Sequence, residues 1–181
     1  SGLPLALLQH VAATIAASLR AGDVVSVVTP GVAPAVLVDS LAVSGPDDPS
    51  LLAALAALAL DEGGTDLGAG LQTAYGLVAA GAFADGANRV LLVSDGRGEL
   101  GMLDAQAIED AAAAGIYTIA VGVGDGTRYD GALMAEVAER GRGASLFVDS
   151  AEEAAKMLGA RFAGTVDAAA TEVRVQVTLP P

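Results

Sequence analysis

Cysteine is absent from the 181 residues. That excludes disulfides, zinc–thiolate centres and thiol nucleophiles, and it leaves the redox compartment open. Tryptophan is absent as well, and aromatics are only 3% of the chain. Any core must therefore be assembled from Ala, Val, Leu and Ile. Positive charge is scarce: nine Lys and Arg face 22 Asp and Glu, for a net charge of −13. The basic residues are scattered from Arg20 to Arg174, and only Arg140 and Arg142 sit close together. No basic stripe can track a phosphate backbone, so nucleic acid is not an expected partner. The most apolar stretch, Leu51 to Leu60, falls short of the roughly 18 apolar residues that a membrane span requires. What the chain does have is 53% hydrophobic residues and a mean hydropathy of +0.55, enough for one domain with a large core.

Periodicity divides the chain into alternating helices and strands. Leu8, Val11, Ile15 and Leu19 share one face, which predicts a helix over Leu3–Ala21 closed by Gly22. Asp23–Thr29 reads as a strand covered on both faces, paired through the Pro30-Gly31 turn with a second strand at Ala35–Val43. Helices follow from Pro49 to about Leu60 and over Leu67–Ala80. Then come strand Asn88–Ser94, helix Asp104–Ala114, strand Ile116–Val123 and helix Asp130–Gly141. Strand Ala144–Val148 and helix Ser150–Phe162 complete the alternation. It implies an α/β fold: doubly wound, with a mostly parallel central sheet, helices on both faces and one antiparallel hairpin edge strand. A last strand, Thr171–Leu179, alternates Val173, Val175 and Val177 with Glu172, Arg174 and Gln176, so one of its faces is wet.

In open α/β sheets, ligands bind beyond the carboxyl ends of the strands. That rim would hold Thr29 and Pro30, Gly63–Asp66, Asp95–Glu99 and Gly124–Asp130. Thr65 and Asp95 stand out, because a hydroxyl and a carboxylate brought to one sheet edge suit a hard divalent cation. Each also has a plainer reading: Thr65 as a helix N-cap, Asp95-Gly96 as a turn. Asp66 and Glu99 flank the pair, while Asp125 and Asp130 lie on the same rim without a specific role. Asp47-Asp48, Asp61-Glu62 and Glu152-Glu153 read as solvated loop or helix-start charges.

The ordered strings GGTDLGAGL (Gly63–Leu71), RVLLVSDG (Arg89–Gly96) and IYTIAVGVGDG (Ile116–Gly126) resemble the von Willebrand factor A family. RYDGALMAEVAERGRGASLFVDSAEEA (Arg128–Ala154) is similar to a bacterial, calcium-activated-chloride-channel-like subgroup of it. The resemblance covers essentially the whole chain. It implies a Rossmann-like domain over residues 1–165. Residues 166–181 would be a trailing β segment that begins a β-rich region. It further implies a protein-binding, adhesion-type module rather than an enzyme. In the family, a metal-ion-dependent adhesion site takes a DxSxS motif from the first strand, a Thr from a later loop and an Asp after the fourth strand. Thr65 and Asp95 match the last two. They would hold Mg²⁺, or alternatively Ca²⁺ or Mn²⁺, with a partner's Asp or Glu carboxylate completing the coordination. The resemblance leans towards the bacterial cell envelope.

The sequence departs from that pattern at one point: it contains no DxSxS. Ser1-Gly2 falls just after the position where the motif would stand, and the family's first strand lies at the sheet centre. Two buried strand edges without partners would cost about 1–3 kcal/mol for each orphaned backbone group. The expectation is that an upstream segment or a second chain completes the sheet. Three other functions compete. A nucleotide-binding enzyme could use Gly122-Val-Gly124-Asp-Gly126, but the G-x-G-x-x-G spacing is not met and no lysine follows a Gly-rich loop. A hydrolase would need more than His10, the sole histidine, which lies on the first helix, and no G-x-S-x-G is present. A metal-free scaffold of the same fold is the third.

Overall fold

The computed structural model describes residues 5–31, 33–58, 66–84, 86–96, 100, 105–124 and 129–160. The chain runs α1 (Leu5–Ala16), β1 (Val24–Thr29), β2 (Ala35–Ala42), α2 (Pro49–Ala56), α3 (Leu67–Ala80) and β3 (Asn88–Ser94). It continues with α4 (Ala105–Ala113), β4 (Ile116–Val123), α5 (Gly131–Arg140), β5 (Ser145–Val148) and α6 (Ala151–Ala154). The last of these passes into a π-helical turn over Ala155–Ala160. The alternation expected from periodicity is therefore the alternation observed, with ends shifted by a few residues. The expected strand at Thr171–Leu179 lies outside the described residues.

β3, β4 and β5 form a parallel sheet in that order, with Asn88 opposite Ile116 and Ser94 opposite Gly122. Period-two patterning sends alternate residues to opposite faces. Val90 and Leu92 of β3, with Ile116 and Ala120 of β4, meet α3, α4 and α5 in one cluster. Leu91 and Val93, with Ile119, Val121 and Val123, meet α1 and α6 in another. Ile119, Val121 and Val123 are 0–1% exposed. Helices thus cover both faces, as the unbroken apolar run of β4 requires.

β1 and β2 form an antiparallel hairpin, with register shifts between Val25 and Val27 and again between Val27 and Val28. It packs against α2 and the end of α1 through Ala16, Val43, Leu51 and Leu55. The hairpin and the three-stranded sheet are separate, and no ladder joins β1 to β3 among the described residues. Hydrophobic patterning reports that a strand is covered on both faces, but it carries no information about its neighbours in the sheet.

Two further differences are chemical. Asp48, read as a solvated loop or helix-start charge, is buried at 7% exposure. It is the N-cap of α2, accepting from the Ser50 and Leu51 amides at 3.0 and 3.1 Å. Its other oxygen accepts from the Ser44 amide and hydroxyl at 2.9 and 2.8 Å. Those bonds, led by the Ser44 amide, hold its pKa down to about 2 against the opposing effect of burial. The second is inside the core, where the Tyr75 hydroxyl and Thr118 Oγ1 lie 2.7 Å apart. Each satisfies the other in a layer with little other polar chemistry, and burial raises the Tyr75 pKa.

Candidate functional site

Two chain segments meet at the rim beyond the end of β3. β3 delivers Ser94 and Asp95 there, because seven residues of ladder with β4 fix its length and register. Ser94 is buried at 7% exposure, and its hydroxyl accepts from the Gly96 amide at 3.1 Å, which tightens the turn after the strand. Asp95 is half-buried, and its carbonyl accepts from the Asp130 amide at 3.3 Å. Gly96 has φ +75°, and a Cβ placed on it would stand 2.5 Å from the Asp130 carbonyl oxygen. Only glycine combines that conformation with that approach. The Asp95 loop is thus strapped to the start of α5.

The neighbouring carboxylates are engaged in local structure. Asp130 caps α5, accepting from the Ala132 and Leu133 amides at 3.1 and 3.2 Å. Asp66 caps α3, accepting from the Ala69 amide at 2.9 Å. Sequence reasoning gave Asp130 no specific role and offered the helix start before Leu67 to Thr65. The structure gives that cap to Asp66, whose carboxylate reaches the third amide of the helix. The signal was present: Asp66 and Asp130 each stand immediately before a helix, which is the ordinary place for a capping aspartate.

Asp95 stands where the sequence placed it, at the carboxyl end of a buried strand. Thr65, Arg97, Glu99, Asp125 and Arg128 lie outside the described residues. Among the described residues, no three His, Asp or Glu side chains gather closely enough to hold a metal ion. The donor chemistry at the strand end is nevertheless hard oxygen, the kind that Mg²⁺ and Ca²⁺ take. One carboxylate fits such an ion in kind but falls short of it in number.

The same geometry bears on the nucleotide reading. Gly122 is covered by the Tyr129 ring, which itself stacks on Phe147 at a centroid distance of 4.6 Å. The first amides of α5 are held by the Asp130 carboxylate, an anion in the place a phosphate would need. His10 is exposed on α1 and lies far along the chain from these strand ends.

Residues 3–97 match the family model of the von Willebrand factor type A domain. The chain is 32% identical over 124 residues to the uncharacterized protein YfbK of Escherichia coli (strain K12), which covers 66% of this chain and 21% of that protein. The chain thus spans about a fifth of that relative's length. An aerotolerance-related membrane protein from Bacteroides fragilis NCTC 9343 superposes with a TM-score of 0.68 at 18% identity, over 85% of each chain. Proximal thread matrix protein 1 from the mussel byssus, with a zinc-occupied MIDAS motif, superposes at 0.62 and 18% identity, over 85% of this chain and 41% of that one. The ordered strings around Asp95, the parallel sheet that presents it and the match over residues 3–97 lead to one conclusion: this chain belongs to the von Willebrand factor type A domain family.

Proposed function

We propose that the domain is an adhesion-type protein-binding module in which Asp95 and Thr65 help to hold a divalent cation, and that the partner supplies an Asp or Glu carboxylate. The observation that carries this reading is the position of Asp95. It ends a strand of the parallel sheet, on a turn pinned by Ser94 and strapped to Asp130. Asp66 and Asp130 sit at helix starts and cap them, whereas Asp95 sits at a strand end. The likeness to a fold neighbour with a zinc-occupied MIDAS motif supports the metal. Mg²⁺ suits an all-oxygen donor set best, with Ca²⁺ or Mn²⁺ as alternatives. The cation would neutralise and orient the partner's carboxylate, and no catalytic turnover is part of the reading. We place the module at the bacterial cell envelope, in line with the membrane protein among its fold neighbours. Among the described residues no helix is long and apolar enough to cross a membrane.

A second reading, a metal-free scaffold for protein assembly, draws on the missing cluster of three acidic or His side chains among the described residues. Calorimetric titration with Mg²⁺ and Mn²⁺ separates the two. The metal reading expects saturable binding by the wild type and at least a tenfold weaker response from a folded Asp95→Ala variant. Equal responses from the two proteins remove Asp95 from the site, and a silent wild type favours the scaffold.

A further inference from the structure

Ser94, Gly122 and Phe147 stand in one row across the ends of β3, β4 and β5. Ser94 pairs with Gly122, and Gly122 pairs with Phe147. Residues paired in register point to the same face of a sheet, so the middle of this row has no side chain of its own. Tyr129 fills that place. A Cβ on Gly122 would stand 2.5 Å from the Tyr129 hydroxyl oxygen and would overlap the ring. Phe147 supports the ring from β5, at 4.6 Å between centroids and an interplanar angle of 37°. At the opposite edge of the ring, a Cβ on Gly131 would stand 3.1 Å from Cε1. The ring also packs against the core cluster beneath α3, α4 and α5. One aromatic side chain is thus seated between β4, β5 and the first residue of α5.

What the seated ring holds is the next peptide. Asp130 follows Tyr129 directly, and it meets the Asp95 turn twice. Its amide donates to the Asp95 carbonyl at 3.3 Å. Its carbonyl oxygen lies 2.5 Å from where a Cβ on Gly96 would stand. Its carboxylate faces the other way and caps α5 through the Ala132 and Leu133 amides. The turn is therefore tied from within by the Ser94 hydroxyl, which accepts from the Gly96 amide, and from outside by the Tyr129–Asp130 peptide.

We propose that Tyr129 is the positioning residue of the Asp95 turn. Its ring, seated over Gly122 and against Phe147, fixes the Asp130 peptide and, through it, the place of Asp95 at the rim. Two hydrogen bonds alone leave a turn free to shift, whereas a ring packed at both edges has one place to lie. The contacts that seat Tyr129 are ring contacts, so phenylalanine should serve as well. Groups that orient a ligating side chain without touching the ion typically change metal affinity by about 10–100-fold when lost. The placement of the turn stands on this geometry alone, and its consequence for a cation rests on the metal reading above.

The test compares wild type, Tyr129→Phe and Tyr129→Ala in the full 181-residue chain. Amide hydrogen exchange is followed without metal at Gly96 and Asp130, with Ile119 and Val121 of β4 as internal reference. Tyr129→Ala should speed both rim amides by about tenfold more than the reference, because it frees a local opening rather than the whole fold. Tyr129→Phe should exchange as the wild type does. Should Tyr129→Ala not fold, Phe147→Leu takes its place: it removes the ring's support, keeps an apolar side chain and should act on the same two amides. The proposal is overturned if rim and reference accelerate alike, if the rim does not respond, or if Tyr129→Phe behaves as Tyr129→Ala. Titration with Mg²⁺ is the second readout. Where the wild type binds, Tyr129→Ala should bind about tenfold more weakly and Tyr129→Phe equally well. Equal affinity in Tyr129→Ala overturns the proposal. A wild type that takes no cation sinks the metal reading instead, and the exchange rates then decide the positioning role by themselves.

Discussion

β4 and β1 are built from much the same material, β-branched residues with few charges, yet they live in different surroundings. β4 has a strand on each side and a helix layer on each face, and from Thr118 to Val123 its hydrophobic members reach 0–1% exposure. Among the described residues β1 has one neighbour; its register is broken twice, and Val24 is 40% exposed. Its partner β2 is more exposed still, with Val36 at 43%, Leu37 at 41% and a positive φ of 50° at Ser40. The difference shows that burial in a sheet is completed at the strand edges. Two helix layers alone leave β1 and β3 partly exposed.

Three substitutions or conditions probe that contrast. The largest effect belongs to β4. Ile119→Ala removes a side chain packed on every side and should cost about 2–5 kcal/mol in urea denaturation. A loss below 1 kcal/mol would mean that β4 is less tightly held than its exposure indicates. The second is a condition, acid, and it acts on the hairpin half. Asp48 ties Ser44, just beyond β2, to the start of α2, and its pKa is lowered from 3.8 to about 2. A depressed carboxylate pKa means that its stabilisation is complete above the unfolded value of 3.8 and is lost as pH falls through 2. Between pH 5 and pH 2, amide protection, taken relative to the intrinsic exchange rate at each pH, should therefore fall in β2 before it does in β4. Asp48→Asn should remove most of that difference. The smallest effect is on the outer strand: Leu37→Ala should change stability by no more than about 0.5 kcal/mol, because the side chain is exposed at 41% rather than packed in the core. A larger loss would show that β2 is covered in solution.

Much of this was legible in the chain itself. β3 and β4 begin and end where apolar runs meet Asn88, Ser94, Ile116 and Val123. Gly115 closes the segment after α4 with a φ of 86°. Asp95 could be placed at the rim because a carboxylate following a buried strand has nowhere else to go in such a fold. Less was legible at the caps. Asp48 and Asp66 stand before helices, which marks them as candidate caps, but only the amides around them show which of them cap and how. The strap between Gly96 and Asp130 joins residues 34 positions apart and left no local mark beyond the glycine.

By itself the sequence determined the order of elements, the apolar faces and the family, because hydrophobic periodicity and turn chemistry are local properties. Which strands are neighbours was decided only by tertiary structure, since ladder partners are chosen by distance in space. α1 and α3 bridge β1 and β3, yet no ladder joins those two strands among the described residues. Among the described residues the apolar strands stand in two ladders beneath shared helices.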